Sequence, residues 1–230
     1  MKKNTDDLSY ILDNFTESAT KVKINSITSS GQIILYGSVG THKSKVAKLI
    51  ANMLVHGEMS DHIDDMCNQI QIIQFHPLYR YQDFVRGSWS KSSTKRIGAT
   101  ENKIFMKIVN AARRSLGYKY FQKDTSDVEK RQYLEDSKKY VLIIEEINRA
   151  NLPSVFGELI YALQNRDELI ECIYEGQDYM NTDLCSKKIM VPSNLYIIGT
   201  IHSDDIDKHL DFNMQKIFNF IHIKEDNNLK

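Results

Sequence analysis

Cysteine is scarce in this chain, with Cys67, Cys172 and Cys185 the three present among 230 residues. They are far apart, odd in number and lack metal-ligand spacing, which excludes a disulfide framework and leaves them as reduced thiols. The seven histidines are equally scattered, so a zinc site is not indicated. Surplus charge is absent too: Lys plus Arg and Asp plus Glu each number 30, for a net charge of zero. That balance argues against bulk attraction to nucleic acid and leaves room only for a local patch. No apolar run approaches the ~18 residues that a membrane span needs, and the opening "MKKNTDDLSY" has no apolar signal core. A cytoplasmic protein without membrane contact is the expectation.

What is present is ordinary for a globular protein, with 41% hydrophobic and 26% charged residues. The length suits one large α/β domain, or one domain with a small appendage. The most informative stretch is "KKYVLIIEEINRANLPSVFGELIYAL", residues 138–163. Residues 140–144 are apolar without alternation, as in a strand buried on both faces of a parallel sheet. A charge has no place along such a strand, so Glu145 and Glu146 are expected at its carboxyl end, where open α/β sheets bind ligands. Two acids there suit a metal-phosphate site, one carboxylate for the ion and one for an attacking water. A solvated strand end is the plainer alternative.

A strand at 32–36 runs into "GSVGTHKSKVAKLIANML". Gly37, five residues, then Lys43 and Ser44 make the frame of a phosphate-binding loop between strand and helix. Candidate nucleotide-binding residues are Gly37, Gly40, Thr41, His42, Lys43, Ser44 and Lys45. Backbone N–H groups would cradle phosphates, Lys43 would reach the β- and γ-phosphates, and the Ser44 hydroxyl would bind Mg²⁺. Val46, Leu49, Ile50, Met53 and Leu54 follow at helical spacing. His42 breaks the pattern, which asks for glycine at a tight turn; histidine tolerates the left-handed region better than a β-branched residue. A Gly-rich turn before a Lys-rich helix is the competing reading.

In the remainder, Leu8, Ile11, Leu12 and Phe15 behind Asp6 and Asp7 read as an amphipathic helix. Residues 57–69 read as a polar loop and 70–75 as a second strand. "HPLYRYQDFVRGSW" follows, either a half-buried loop whose Tyr79, Tyr81 and Phe84 plug the sheet edge, or a surface meeting a ligand or neighbouring subunit. Residues 90–102 read as a polar loop carrying Lys91, Lys95 and Arg96 as solvated charge. Ile104, Phe105, Ile108, Val109 and Ala112 mark a helix, and residues 123–139 a charged separator. One helix is expected over Val155 to Leu163, capped by Asn151 with Pro153 in its first turn. Residues 169–174 and 187–191 read as a projecting hairpin. A buried strand at 194–200 precedes His202, Ser203, Asp204 and Asp205, and a short helix leads to a last strand at 217–223.

Three segments, "FHPLYRYQDFVRG", "YVLIIEEINRANLPSVFGELIYAL" and "VPSNLYIIGT", together resemble the McrB-type GTPases of modification-dependent restriction, a branch of the AAA+ ring NTPases. The resemblance runs over residues 33–223. It implies a P-loop NTPase core of AAA+ type with a mostly parallel five-stranded sheet, flanking helices and a β-hairpin insertion, over residues 31–223. Residues 1–30 would be an N-terminal helix and linker, and 224–230 a polar tail. It also implies GTP or ATP with Mg²⁺ as cofactors, a homo- or hetero-oligomeric ring, and a McrC-like nuclease partner through which DNA is met only indirectly.

By position, the resemblance puts Ser44 and Glu145 on the metal, Glu146 on the attacking water, and His202 where the pattern has a water-positioning Asn. Gln215, Lys216 and Ile217 stand where it has consecutive arginines, and Glu145 where it has Asp. A carboxylate one C–C bond longer moves its charge by roughly 1.5 Å, comparable to the ~1 Å misplacements that cost 10²-fold in rate. Arginine fingers contribute roughly 10³ to 10⁵ in kcat. The departures therefore point towards slow or absent hydrolysis, and the chain stops before the helical lid of AAA+ proteins. Two functions remain open: an Mg²⁺-dependent NTP hydrolase, resting on Lys43, Ser44, Glu146 and Arg149, or a lidless binding module that regulates intact ring subunits or their nuclease.

Overall fold

The structure, a computed structural model, describes residues 27, 30–58, 60–64, 68–88, 100–122, 124–177, 185–202 and 212–223. The N-terminal amphipathic helix, the Lys91, Lys95 and Arg96 cluster, Ser203, Asp204, Asp205 and the polar tail lie outside them.

Five strands make one sheet: β1 (Gln32–Gly37), β2 (Ile70–Gln74), β5 (Tyr140–Glu145), β8 (Leu195–His202) and β9 (Asn219–His222). Their order across it is β2-β5-β8-β1-β9, and every pairing is parallel. Parallel neighbours need crossovers long enough for helices, and these cover both faces. Helix α1 (Lys43–His56) leaves β1. Helix α3 (Ile104–Leu116) precedes α4 (Asp127–Asp136), and α5 (Leu152–Phe156) and α6 (Leu159–Gln164) follow β5. Before α3 lie α2 (Tyr81–Phe84) and the two-stranded ribbon of β3 (Arg86–Ser88) and β4 (Thr100–Asn102). The hairpin of β6 (Ile170–Gln177) and β7 (Cys185–Ile189) is antiparallel, and α7 (Phe212–Ile217) leads into β9.

Strand alternation divides the core in two. Ile33, Leu35, Val141, Ile143, Tyr196 and Ile198 pack under Val46, Ala47, Leu49 and Ile50 of α1. Ile34, Leu142, Ile144 and Ile197, offset by one residue, face α3, α5 and α6 on the other side. One-residue offsets swap faces because side chains alternate along a strand, and here both faces are apolar. The central strands are consequently without charge until their last residues.

The aromatic segment lies against the second of these cores. Phe75 and Phe84 meet edge to face at 5.3 Å between ring centroids, and Phe156 of α5 reaches both. Tyr81 and Phe84 are carried into the core by the short helix α2, so the half-buried loop reading is right about the plug and wrong about its backbone. Behind it, the buried guanidinium of Arg86 donates to Asn102 Oδ1, Cys172 Sγ and the carbonyls of Tyr174 and Lys188, fastening the ribbon and the hairpin to each other.

Four boundaries differ from expectation. The charged stretch 123–139 contains α4, which has no buried residue but is closed by a capping box in which Ser126 and Glu129 satisfy each other's backbone N–H. The helix after β5 is broken into α5 and α6 at Gly157, whose φ of 50° ends the first helix. A Cβ there would lie 3.3 Å from the Tyr81 ring, a contact that favours glycine. Thr100–Asn102 is a strand rather than loop, recruited by β3. Ile217 ends α7 instead of opening the last strand, and its side chain is buried.

Phe156 is fully buried at the junction of the Phe75, Phe84 and Phe218 rings. Replacing Phe156 by Ala is expected to destabilise the fold by about 3 to 5 kcal/mol, read from the urea unfolding midpoint.

Candidate functional site

The register brings three strand ends to one edge. Gly37, the last residue of β1, pairs with His202, the last of β8. Ile144 pairs with Gly199, so Glu145 ends β5 beside Thr200. From Gly37 the chain turns through Ser38, Val39, Gly40, Thr41 and His42 into α1. Gly37 is required by space: a Cβ would come within 2.3 Å of the Ile223 carbonyl oxygen. Val39 and Gly40 are exposed at the tip of the turn.

His42 stands at the N-cap of α1 with φ 55° and ψ 32°, the left-handed conformation that the pattern's glycine would adopt freely. Its side chain is exposed and its carbonyl accepts from Val46 N at 3.0 Å, so the helix starts normally. Lys43, by contrast, is buried at 6% exposure. Its ammonium donates to the carbonyls of Gly37 (2.8 Å) and Ser38 (2.7 Å) and to Thr41 Oγ1 (3.2 Å). The lysine is therefore folded back onto its own loop. Burial lowers the Lys43 pKa, and the fields of Glu146 and then Glu145 oppose that shift, which places both acids within electrostatic reach of the ammonium. Lys45, in the first turn of α1, is half-buried.

Ser44, the next residue, is exposed and donates to Glu145 Oε2 at 2.9 Å. The same oxygen accepts from Thr200 Oγ1 at 2.5 Å, and Thr200 Oγ1 accepts from Glu146 N at 3.1 Å. Glu146 itself has φ 53° and ψ 45°, a conformation costing of order 1–3 kcal/mol that recurs at functional sites. Its carboxylate meets His202 Nε2 at 2.8 Å. His202 Nδ1 is buried without a partner among the described residues. Arg149, on the 3₁₀ turn after the acids, is exposed. Gln215 and Lys216 are exposed on α7.

Lys43, Ser44, Glu145, Glu146 and His202, chosen from sequence, are thus assembled by three strand ends and one helix start. Sequence reasoning placed Thr200 only as the end of the buried strand 194–200 and gave it no role, and it missed the backbone kink at Glu146, for which a glutamate gives no signal. It also did not anticipate that Lys43 would be satisfied by loop carbonyls.

The residues fit a nucleotide phosphate and a small divalent cation. A strand leads through a turn with no room for a side chain at Gly37 onto the first turn of a 14-residue helix, the arrangement in which free backbone N–H groups and the helix dipole meet an anion. The Ser44 hydroxyl and Glu145 carboxylate, hydrogen-bonded to each other, are the hard oxygen donors that Mg²⁺ takes alongside water and phosphate.

An all-parallel five-stranded sheet with this loop on one strand and paired acids ending another defines a P-loop NTPase core. The chain belongs to the AAA domain (dynein-related subfamily) family, which it matches over residues 32–218. It is 29% identical over 209 residues to the type IV methyl-directed restriction enzyme EcoKMcrB subunit of Escherichia coli (strain K12), covering 90% of this chain and 38% of that protein. It is 28% identical over 183 residues to the type II restriction enzyme BsuMI component YdiS of Bacillus subtilis (strain 168), covering 75% of this chain and 50% of the relative. The chain is thus a McrB-like AAA+ protein that spans half or less of the length of these curated relatives.

Two outcomes follow from the loop geometry. His42→Gly removes a left-handed side chain at a backbone cost of roughly 1 to 2 kcal/mol, partly offset by the extra freedom of glycine when unfolded, so a gain of up to about 1 kcal/mol is expected in chemical denaturation. Lys43 has a lowered folded-state pKa, so the folded state binds its proton less readily than the unfolded chain. That penalty is fully present below the folded pKa and is relieved as pH rises through it towards 10.5. The wild type should accordingly gain stability relative to Lys43→Met as pH climbs into the alkaline range, as measured by paired thermal melts.

Proposed function

We propose that this chain is a nucleotide-binding AAA+ subunit of a McrBC-like, modification-dependent restriction system, binding GTP or ATP with Mg²⁺ and hydrolysing it slowly. The observation that carries the reading is the meeting of Lys43, Ser44, Glu145, Glu146 and His202 at one sheet edge. The relatives' names, a subunit and a component of restriction enzymes, support the restriction context; the homo- or hetero-oligomeric ring, the McrC-like nuclease partner and DNA reached only through them are what the McrB-type resemblance adds to the proposal.

In this mechanism Gly37 lets the loop backbone close around phosphates, and Lys43 exchanges its loop carbonyls for phosphate oxygens. Ser44 and Glu145 would hold the ion. Mg²⁺, when bound, neutralises charge that develops on the transferred phosphoryl oxygens. Glu146 orients a water and takes its proton, and His202 holds the Glu146 carboxylate in place. Arg149 is exposed on the same edge as a cation for a ligand or neighbour.

A binding module without turnover is the second reading. It is favoured by Gln215 and Lys216 on α7, where the resemblance has guanidinium groups, and by the self-satisfied state of Lys43 and Glu146.

The test is titration with fluorescent GTP and ATP analogues, with and without Mg²⁺, followed by phosphate release. Wild type should bind one of the two, Lys43→Ala should lose that binding, and Glu146→Gln should bind while turnover falls by about 10² or more. Binding with no turnover in the wild type would select the module; no binding by wild type or by His42→Gly would remove nucleotide from the function altogether.

A further inference from the structure

We infer that Thr200 is a positioning residue of the nucleotide site, setting the orientation of the metal carboxylate and the backbone of the water-directing glutamate through one hydroxyl. The inference rests on the functional reading above and assigns a role to a residue that neither the motif pattern nor the paired acids select.

A threonine hydroxyl has one proton to donate and two lone pairs to accept with. At 2.5 Å from Glu145 Oε2, Thr200 Oγ1 spends that proton on the carboxylate, which has none to give when ionised. Glu146 N–H, 3.1 Å away, then donates into a lone pair of the same oxygen. With Ser44 Oγ also donating to Glu145 Oε2, four groups form one chain: the Glu146 amide donates to Thr200, and Thr200 and Ser44 both donate to Glu145.

This chain has two physical consequences. Glu145 Oε2 is committed to two hydroxyl donors, which turns the carboxylate to a single orientation and leaves Oε1 as the oxygen with uncommitted lone pairs. The longer side chain at this position has more torsional freedom than an aspartate, and the two donors remove it. The Glu146 amide, meanwhile, belongs to a residue with φ 53°. A strained conformation persists only where surrounding bonds over-determine it, and the Thr200 hydroxyl is such a bond on its N-terminal side. The carbonyl of Glu146, accepting from Arg149 N at 2.9 Å, is the other. Between these anchors the side chain emerges within 2.8 Å of His202 Nε2.

Thr200 is suited to this because the sheet holds it on both sides. It is 2% exposed, in the interior of β8, with its backbone paired to Leu35 of β1. A hydroxyl on a central strand is a rigid reference for two acids on the neighbouring strand end, whereas Ser44 is exposed and free to follow a ligand. The site thus has one fixed and one adjustable hydroxyl on the same carboxylate oxygen.

The experiment uses the full chain with Thr200→Val, which keeps the branched shape and removes the hydroxyl, and Thr200→Ser, which keeps it. Binding of a fluorescent GTP or ATP analogue is followed in EDTA and as a function of MgCl₂. Thr200→Val should need about tenfold more Mg²⁺ than the wild type for half-maximal effect, in keeping with the 10- to 100-fold losses seen when groups orienting a metal ligand are removed. Thr200→Ser should recover most of that difference. A magnesium requirement equal to wild type in Thr200→Val, or a Ser variant as defective as the Val variant, would overturn the inference. A ligand-free arm separates this outcome from failure of the nucleotide reading: melting temperatures of Thr200→Val, Glu145→Ala and the double variant. Because both single changes break the same bond, the double variant should melt higher than the sum of shifts by roughly 2 to 4 °C. Strict additivity would sink the proposed coupling even if nucleotide binds. Coupling without any nucleotide binding would leave the Thr200 contact standing and remove the reading it was meant to serve.

Discussion

The structure depends on where three parallel strands stop. Gly37, Glu145 and His202 are each the terminal residue of a strand buried on both faces, and the register brings those ends to the same edge, Gly37 level with His202 and Glu145 two residues short of them. Inside the sheet a carboxylate or ammonium would cost several kcal/mol of solvation. Polar chemistry is thereby confined to the sheet's edge, and because neighbours are parallel the carboxyl ends collect on the same side. The phosphate-type loop, the acids and the histidine are neighbours as a consequence of packing, not of sequence proximity.

Around that edge, several polar groups hold one another, while His202 Nδ1 is buried without a partner among the described residues. Lys43 is held by loop carbonyls, Glu145 by two hydroxyls, and Glu146 by an imidazole and a backbone bond. A buried charge without partners would shift its pKa or pull the loop open. The side chains of Lys43, Ser44, Glu145 and Glu146 each already hold a partner. Under the proposed function, nucleotide binding would be an exchange of partners, whose net gain is smaller than the gross strength of the new bonds.

The departures from the McrB-type pattern are accommodated to different degrees. His42 adopts the left-handed conformation with its side chain in solvent, so the loop path survives the loss of glycine. Glu145 still meets Ser44, its extra length absorbed by a bond to Thr200. His202 reaches Glu146 as a polar side chain at that position should. Gln215 and Lys216, in contrast, have no guanidinium to offer and are exposed on α7. The scaffold therefore tolerates change at the loop and the acids, while α7 lacks the guanidinium groups that the McrB-type pattern has there.

Strand positions, the β1–loop–α1 unit and the candidate residues Lys43, Ser44, Glu145, Glu146 and His202 were legible in the chain, because an uninterrupted apolar run followed by charge has few other places to go. Helix α4 was missed because its stability is a local capping matter with no apolar face to read, and the break at Gly157 because it answers to the Tyr81 ring, distant in sequence. What the amino-acid order determined by itself is the set of buried strands and the polar residues expelled from their ends. What only the tertiary structure decided is which of those ends meet, how Thr200 joins two acids, and that Lys43 turns back on its loop. The Thr200 bonds join residues 54 and 55 positions apart, and their geometry exists only once the register of the sheet has been set.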